Sequence, residues 1–152
     1  MVRYCVMESH ENKSLPVAPK NENEEVVIVP DLKNFDAIDY DYRSGLISDR
    51  FKTLAGSFLL RYNFEFVVYL NSDRTEHSVF WKFSPPVYTD YQATYRNDGI
   101  VSHITFTNNL APMVFTTKSP KGVRSIVVCI AIVESALRRG ITGLKFTKVT
   151  EG

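Results

Sequence analysis

The residues of this chain whose types could do chemistry are three histidines, two cysteines and a tight group of aspartates. His10 lies in a polar stretch and reads as solvated, and His103, inside IVSHITF, reads as a sheet-surface residue. His77 opens a strand with Glu76 beside it, but adjacent strand residues point to opposite faces. Cys5 and Cys129 are far apart and lack metal-ligand spacing, and no HExxH, HxH or Cys/His cluster accompanies them. Cys129, inside IVVCIAIV, is expected to be a buried reduced thiol. The aspartates Asp36, Asp39 and Asp41 fall within FDAIDYDYRSG. A calcium loop counted from Asp39 would need a ligand, a glycine and a glutamate where Arg43, Ser44 and Arg50 stand. GxSxG-type nucleophile motifs and a phosphate-cradling glycine loop are also missing from the sequence. The expectation is a protein that is not an enzyme, with no catalytic residues, no metal and no cofactor.

Binding is a better use for these residues. Tyr40 and Tyr42 interleave with Asp39 and Asp41, and tyrosine buries a large area at small entropic cost. The candidate partner-binding set is therefore Asp36, Asp39, Tyr40, Asp41 and Tyr42, with charge steering a basic protein and rings holding it. Tyr88, Tyr91 and Tyr95 raise the same possibility, although their spacing is equally that of a helix burying a tyrosine stripe. Net charge is only +1, but residues 1–76 hold 13 acids and 9 bases, and residues 77–152 hold 4 acids and 9 bases. That polarity fits an acidic region facing a basic partner, and it does not fit a generic polyanion binder.

The elements that must position these side chains alternate between short strands and shorter helices. At 152 residues the chain is long enough for one domain, or two closely packed halves, with a core that needs no staple. A strand at residues 3–7 precedes a polar arm around residues 8–25, and EVVIVP is a brief strand stopped by Pro30. DLKNFDAIDYDYRSG has no steady period and reads as a loop. Ser48 is a helix N-cap with Asp49 at the positive helix end, and Phe51, Leu54, Ala55 and Phe58 make one apolar helix face. Phe64, Phe66, Val68 and Leu70 share one strand face, and HSVFWKF returns beside them with Trp81 core or half-buried. After SPP come strands IVSHITFTNN, MVFTT and SIVVC, a helix IAIVESALRR and a last strand LKFTK. The class is α+β, mostly antiparallel, with a faint helix-then-strand repeat between Ser48…Phe66 and Cys129…Phe146. The apolar run Ile126–Val133 is too short to span a bilayer, and MVRYCVMESHENK carries no apolar signal core, so a cytoplasmic protein is expected.

The ending ALRRGITGLKFTKV is written for structure. Gly140 is placed to stop the helix in the left-handed conformation, with Arg138 and Arg139 at its negative end. A hydrophobic strand, a short helix with a basic pair and then GITGLKF resembles the C-terminus of a family of bacterial immunity proteins. These belong to polymorphic-toxin and type VI secretion systems, and the family is the eleventh of the immunity series, first catalogued as a domain of unknown function. RYCVMES, FDAIDYDYRSGLISDRFK and the segment from NLAPMVF to the end are similar in the same order. The resemblance implies a protein that binds and neutralises a cognate toxin encoded beside it, in several relatives a nuclease. It implies a protein partner, with no direct nucleic acid and no membrane. Cys129-Ile130-Ala131 departs from the pattern, which leads one to expect a serine-type cap there. A small enzyme acting on a nucleotide or a modified toxin, and a regulatory interaction module, are the alternatives the sequence leaves open.

Overall fold

The computed structural model describes residues 2–11, 13–108 and 110–152. Met1, Asn12 in the expected arm, and Asn109 at the end of an expected strand lie outside the described residues. The described chain runs β1 (Tyr4–Ser9), β2 (Val26–Val29), a single 3-10 turn (Phe35–Ala37), β3 (Tyr40–Asp41), β4 (Leu46–Ser48), α1 (Asp49–Phe58) and β5 (Glu65–Asn71). It continues through β6 (His77–Lys82), β7 (Tyr91–Tyr95), β8 (Val101–Phe106), β9 (Val114–Lys118), β10 (Arg124–Cys129), α2 (Ile130–Arg138) and β11 (Leu144–Glu151). The class is α+β as the sequence indicated, with two sheets and two α-helices among the described residues. No helix of the described chain is long and apolar enough to cross a membrane.

The chain divides into two compact units, one of residues 1–7, 84–135 and 146–152, the other of residues 8–83 and 136–145. The first carries most of a six-stranded sheet in the order β7-β8-β11-β1-β10-β9. Its pairings are antiparallel for β1 with β10, β10 with β9 and β7 with β8, and parallel for β11 with β8. Tyr4, Val6, Val101, Ile104, Phe115, Val127 and Val149 form its core. The tyrosine stripe read as a possible helix belongs here instead. Tyr91 and Tyr95 bracket β7, half-buried against that core, and Asn97-Asp98-Gly99 turns the chain back with Gly99 at φ +87°. Cys129 is half-buried where full burial was expected, while Cys5 is buried and burial pushes its thiol up. The missing serine cap of α2 is met differently: the Ile130 N–H donates to the Arg3 carbonyl at 2.7 Å.

The second unit holds a five-stranded sheet in the order β2-β5-β6-β4-β3. β5, β6 and β4 pair antiparallel, and β2 adds at one edge parallel to β5. One face of this sheet is the core, where Val27, Val29, Val67, Tyr69 and Phe80 pack with Leu15, Phe35, Ile38 and Leu46. Phe35, Tyr69 and Phe80 meet edge-on with centroids 5.3–6.2 Å apart, and the Tyr69 hydroxyl donates to the Val17 carbonyl at 2.7 Å. On α1 the expected cap forms, since Ser48 Oγ accepts the Phe51 N–H at 3.2 Å, and Phe51, Leu54 and Ala55 are buried. The faint repeat has a topological counterpart. α1 joins β4 to β5 across the intervening β6, and α2 joins β10 to β11 across the intervening β1.

Candidate functional site

The acidic-aromatic stretch expected to dock a partner turns inward. Asp39 is 0% exposed, Asp41 1% and Tyr40 2%, so these three members of the candidate set offer no surface to another protein. Asp36 and Tyr42 alone of the five are exposed. The reason is geometric. The stretch is a 3-10 turn followed by the edge strand β3, which pairs Tyr40 with Ile47 and Asp41 with Leu46 and so carries the alternating residues into the unit. The expected loop is thus partly regular structure.

Asp39 is the hub of this region. Its Oδ1 accepts from Ser48 Oγ and Arg50 Nε at 2.6 Å each, and its Oδ2 accepts from Arg50 Nη2 at 2.7 Å and the Gly143 N–H at 2.6 Å. Its own backbone closes the knot: the Asp39 N–H donates to the Gly143 carbonyl at 2.9 Å, and its carbonyl accepts the Ser48 N–H at 3.0 Å. Burial by itself would raise the Asp39 carboxyl, but the Arg50, Ser48 and Gly143 donors outweigh it and hold the group below its ordinary value. The same bonds raise Arg50. The GITG turn is therefore locked to the aspartate stretch. Gly143 has no room for a side chain, since a Cβ there would fall on the Ala37 carbonyl and the Asp39 backbone closer than real contacts allow. Asp41 is held by Ser44, whose Oγ donates to Oδ2 at 2.6 Å, while its buried Oδ1 has no hydrogen-bond partner among the described residues.

His77 is exposed at the start of β6, in one unit, and His103 lies half-buried on β8 in the other, its Nδ1 2.6 Å from Thr150 Oγ1. A groove of about 620 Å³ along the polar arm is lined by Glu11, Lys13, Asp31, Lys33 and Phe35 among others, and no histidine is among its described lining residues.

The surface that sequence reasoning missed is the other face of the five-stranded sheet. Register and alternation place Val26 and Ile28 of β2, Phe66, Val68 and Leu70 of β5, and Val79 and Trp81 of β6 together on it. Val26, Ile28 and Phe66 are 49%, 50% and 45% exposed. α1 covers only the part of this face nearest β4: Asp49 Oδ1 accepts the Trp81 Nε1–H at 2.8 Å, and the Lys52 ammonium lies 4.3 Å from the Trp81 ring centroid. The Phe66 ring meets Trp81 edge-on at 6.1 Å, and from there to β2 the apolar face is open. The signal was present in EFVVYL, which is apolar on both faces. Phe66, Val68 and Leu70 share a face as expected, with Phe64 lying before the strand, but the core takes the opposite set, Val67 and Tyr69.

Folding also redistributes the charge. The linear contrast between halves shrinks because Arg138, Arg139 and Lys145 belong to the unit of the acidic N-terminal half. That unit holds 13 acids and 12 bases, and the other 4 acids and 6 bases. No protein-family model matches the chain, and a search of curated proteins finds no relative.

Proposed function

We propose that this protein is a cytoplasmic immunity protein that binds a cognate secreted antibacterial toxin, a nuclease effector, and neutralises it by occluding its active site. The observation that carries the reading is the half-covered apolar face of the five-stranded sheet, where Val26, Ile28 and Phe66 stand about half exposed beside Trp81. A contiguous apolar face left open on a small protein is the mark of a contact surface. Aromatic side chains such as Phe66 and Trp81 are the types that anchor tight protein interfaces. The resemblance of GITGLKF and the aspartate stretch to an immunity family supplies the identity of the partner class.

Neutralisation by occlusion needs no chemistry from this chain, only an affinity high enough to keep free toxin scarce. Nanomolar binding corresponds to about −12 kcal/mol. The test is to read the adjacent gene and, where it encodes a large secreted protein, to co-express that protein's C-terminal domain with this chain. The expected result is survival of the host and a 1:1 complex on size exclusion. A toxin domain that kills regardless, or that never co-elutes, would sink the proposal.

A further inference from the structure

The edge strand β2 carries a more specific message about the partner, and the inference rests on the toxin-binding reading above. β2 closes one end of its sheet, and among the described residues no strand pairs with its outer edge. Its residues alternate between core and open face, Val27 and Val29 in, Val26 and Ile28 out. Pro30 stops the strand at four residues, so a pairing strand gains only a short ladder and must draw further affinity from the face. That face is continuous, since Val26 pairs with Val68, Ile28 with Leu70, and Phe66 with Trp81.

The charges bracketing β2 decide what can lie there. Glu22, Glu24 and Glu25 precede it and Asp31 follows it. At the same end of the sheet, exposed Glu65 opens β5, and Lys82 is already engaged, 3.7 Å from Glu65 and bonded to the Glu22 carbonyl. A second copy of this chain is a poor occupant. In register and parallel, Glu24 and Glu25 would face themselves. In antiparallel pairing of residues 26–29, Glu24 would face Asp31. Like charges directly opposite destabilise a strand pair either way. An edge guarded in this manner resists self-association and accepts a strand with basic flanks.

We propose that β2 and the open face beside it receive an extended segment of the partner protein, apolar at alternate residues and flanked by lysine or arginine. The segment pairs along β2, sets its apolar side chains on Val26, Ile28 and Phe66, and lays its cations against Glu22, Glu24, Glu25 and Asp31.

The experiment has two arms on the full-length protein. In the first, a synthetic nonapeptide with Val-Thr-Ile-Thr-Val at its centre and two lysines at each end is titrated into labelled protein, followed by amide NMR. Shifts centred on residues 25–30 are expected, with binding at least tenfold weaker at low salt for a second peptide carrying glutamates in place of the lysines, and lost in Ile28→Lys. Shifts elsewhere, equal binding of both peptides, or dimerisation abolished by Ile28→Lys would overturn the proposal. In the second, Ile28→Lys and Phe66→Ser are tested for protection against the neighbouring toxin domain, with melting checked in parallel. Loss of protection by folded variants supports the docking face. Protection retained by folded variants overturns the docking face and leaves the toxin reading standing. Failure of the wild type to bind the toxin overturns that reading, and the peptide arm alone then decides the edge.

Discussion

Asp39 and Phe66 belong to the same unit and exchange the places their chemistry suggests. The carboxylate is wholly buried, and the phenyl ring is 45% exposed. What separates them is partners. Asp39 has four side-chain hydrogen bonds waiting for it, from Ser48, Arg50 and Gly143, so burying its charge leaves its lone pairs satisfied. Phe66 sits on a strand with two apolar faces, and only one of them can meet the core. The comparison teaches that a charge-rich segment can be scaffold and an aromatic segment can be surface, depending on what the rest of the chain supplies.

The largest effect should come from breaking the hub. Asp39→Ala leaves the buried Gly143 N–H and Ser48 Oγ without their acceptor and frees Arg50, whose side chain is 48% exposed and can rehydrate. A loss of about 2–4 kcal/mol is expected from denaturant unfolding, since each buried donor left unsatisfied costs about 1–3 kcal/mol. A loss below 1 kcal/mol would mean that the aspartate does not hold this knot together. Asp39→Asn tests the charge itself. Because the folded carboxyl lies below its unfolded value, its contribution is complete above the unfolded value near pH 4 and drains away as pH falls through the folded value. The wild type should lose stability on acidification below about pH 4, and Asp39→Asn should flatten that limb of the profile.

Next in size is the far side of the same knot. Gly143→Ala drives a methyl into the Ala37 carbonyl and the Asp39 backbone, neither of which can swing aside as a side chain would. About 1–3 kcal/mol is the expected cost by thermal or denaturant melting. Gly140→Val should cost less, on the order of 1–2 kcal/mol. There φ is +70° with open space around a Cβ, so the penalty is conformational alone. If Gly140→Val proved the more damaging, the cap would outweigh the hub and the ranking would be wrong.

Much of the scaffold was legible because its signals are local. Ser48 caps α1, Gly140 takes the left-handed conformation, and the Ile141 N–H returns to the Ala136 carbonyl at 3.0 Å, all within a few residues of the letters that announce them. The role of Asp39 was not legible, because Gly143 stands 104 residues away and an aspartate beside tyrosines reads the same whether it faces water or an arginine. The open face was half legible. Alternation sorted Phe66, Val68 and Leu70 together, but which face meets the core depends on Leu15, Phe35 and Ile38 arriving from elsewhere in the chain. The tyrosines at 88, 91 and 95 misled for a related reason: Tyr88 lies outside β7, so their spacing is not one period.

The smallest expected effect is the sharpest contrast, because it compares neighbours. Val26 and Val27 are adjacent on β2, 49% and 4% exposed. Threonine is nearly the same shape as valine, keeps the branched Cβ that strands favour, and adds one hydroxyl. At Val26 the hydroxyl meets water, so Val26→Thr should change unfolding free energy by less than about 0.5 kcal/mol. At Val27 it enters the cluster of Val67, Tyr69 and Phe80, and about 1–3 kcal/mol should be lost. Equal costs at the two positions would mean the outer face is covered in solution, by another copy or by the chain itself, and would remove the surface on which the binding proposal stands. Unequal costs, with peptide binding weakened by Val26→Thr alone, would show that this face is kept apolar for a partner, since the fold gains almost nothing from it.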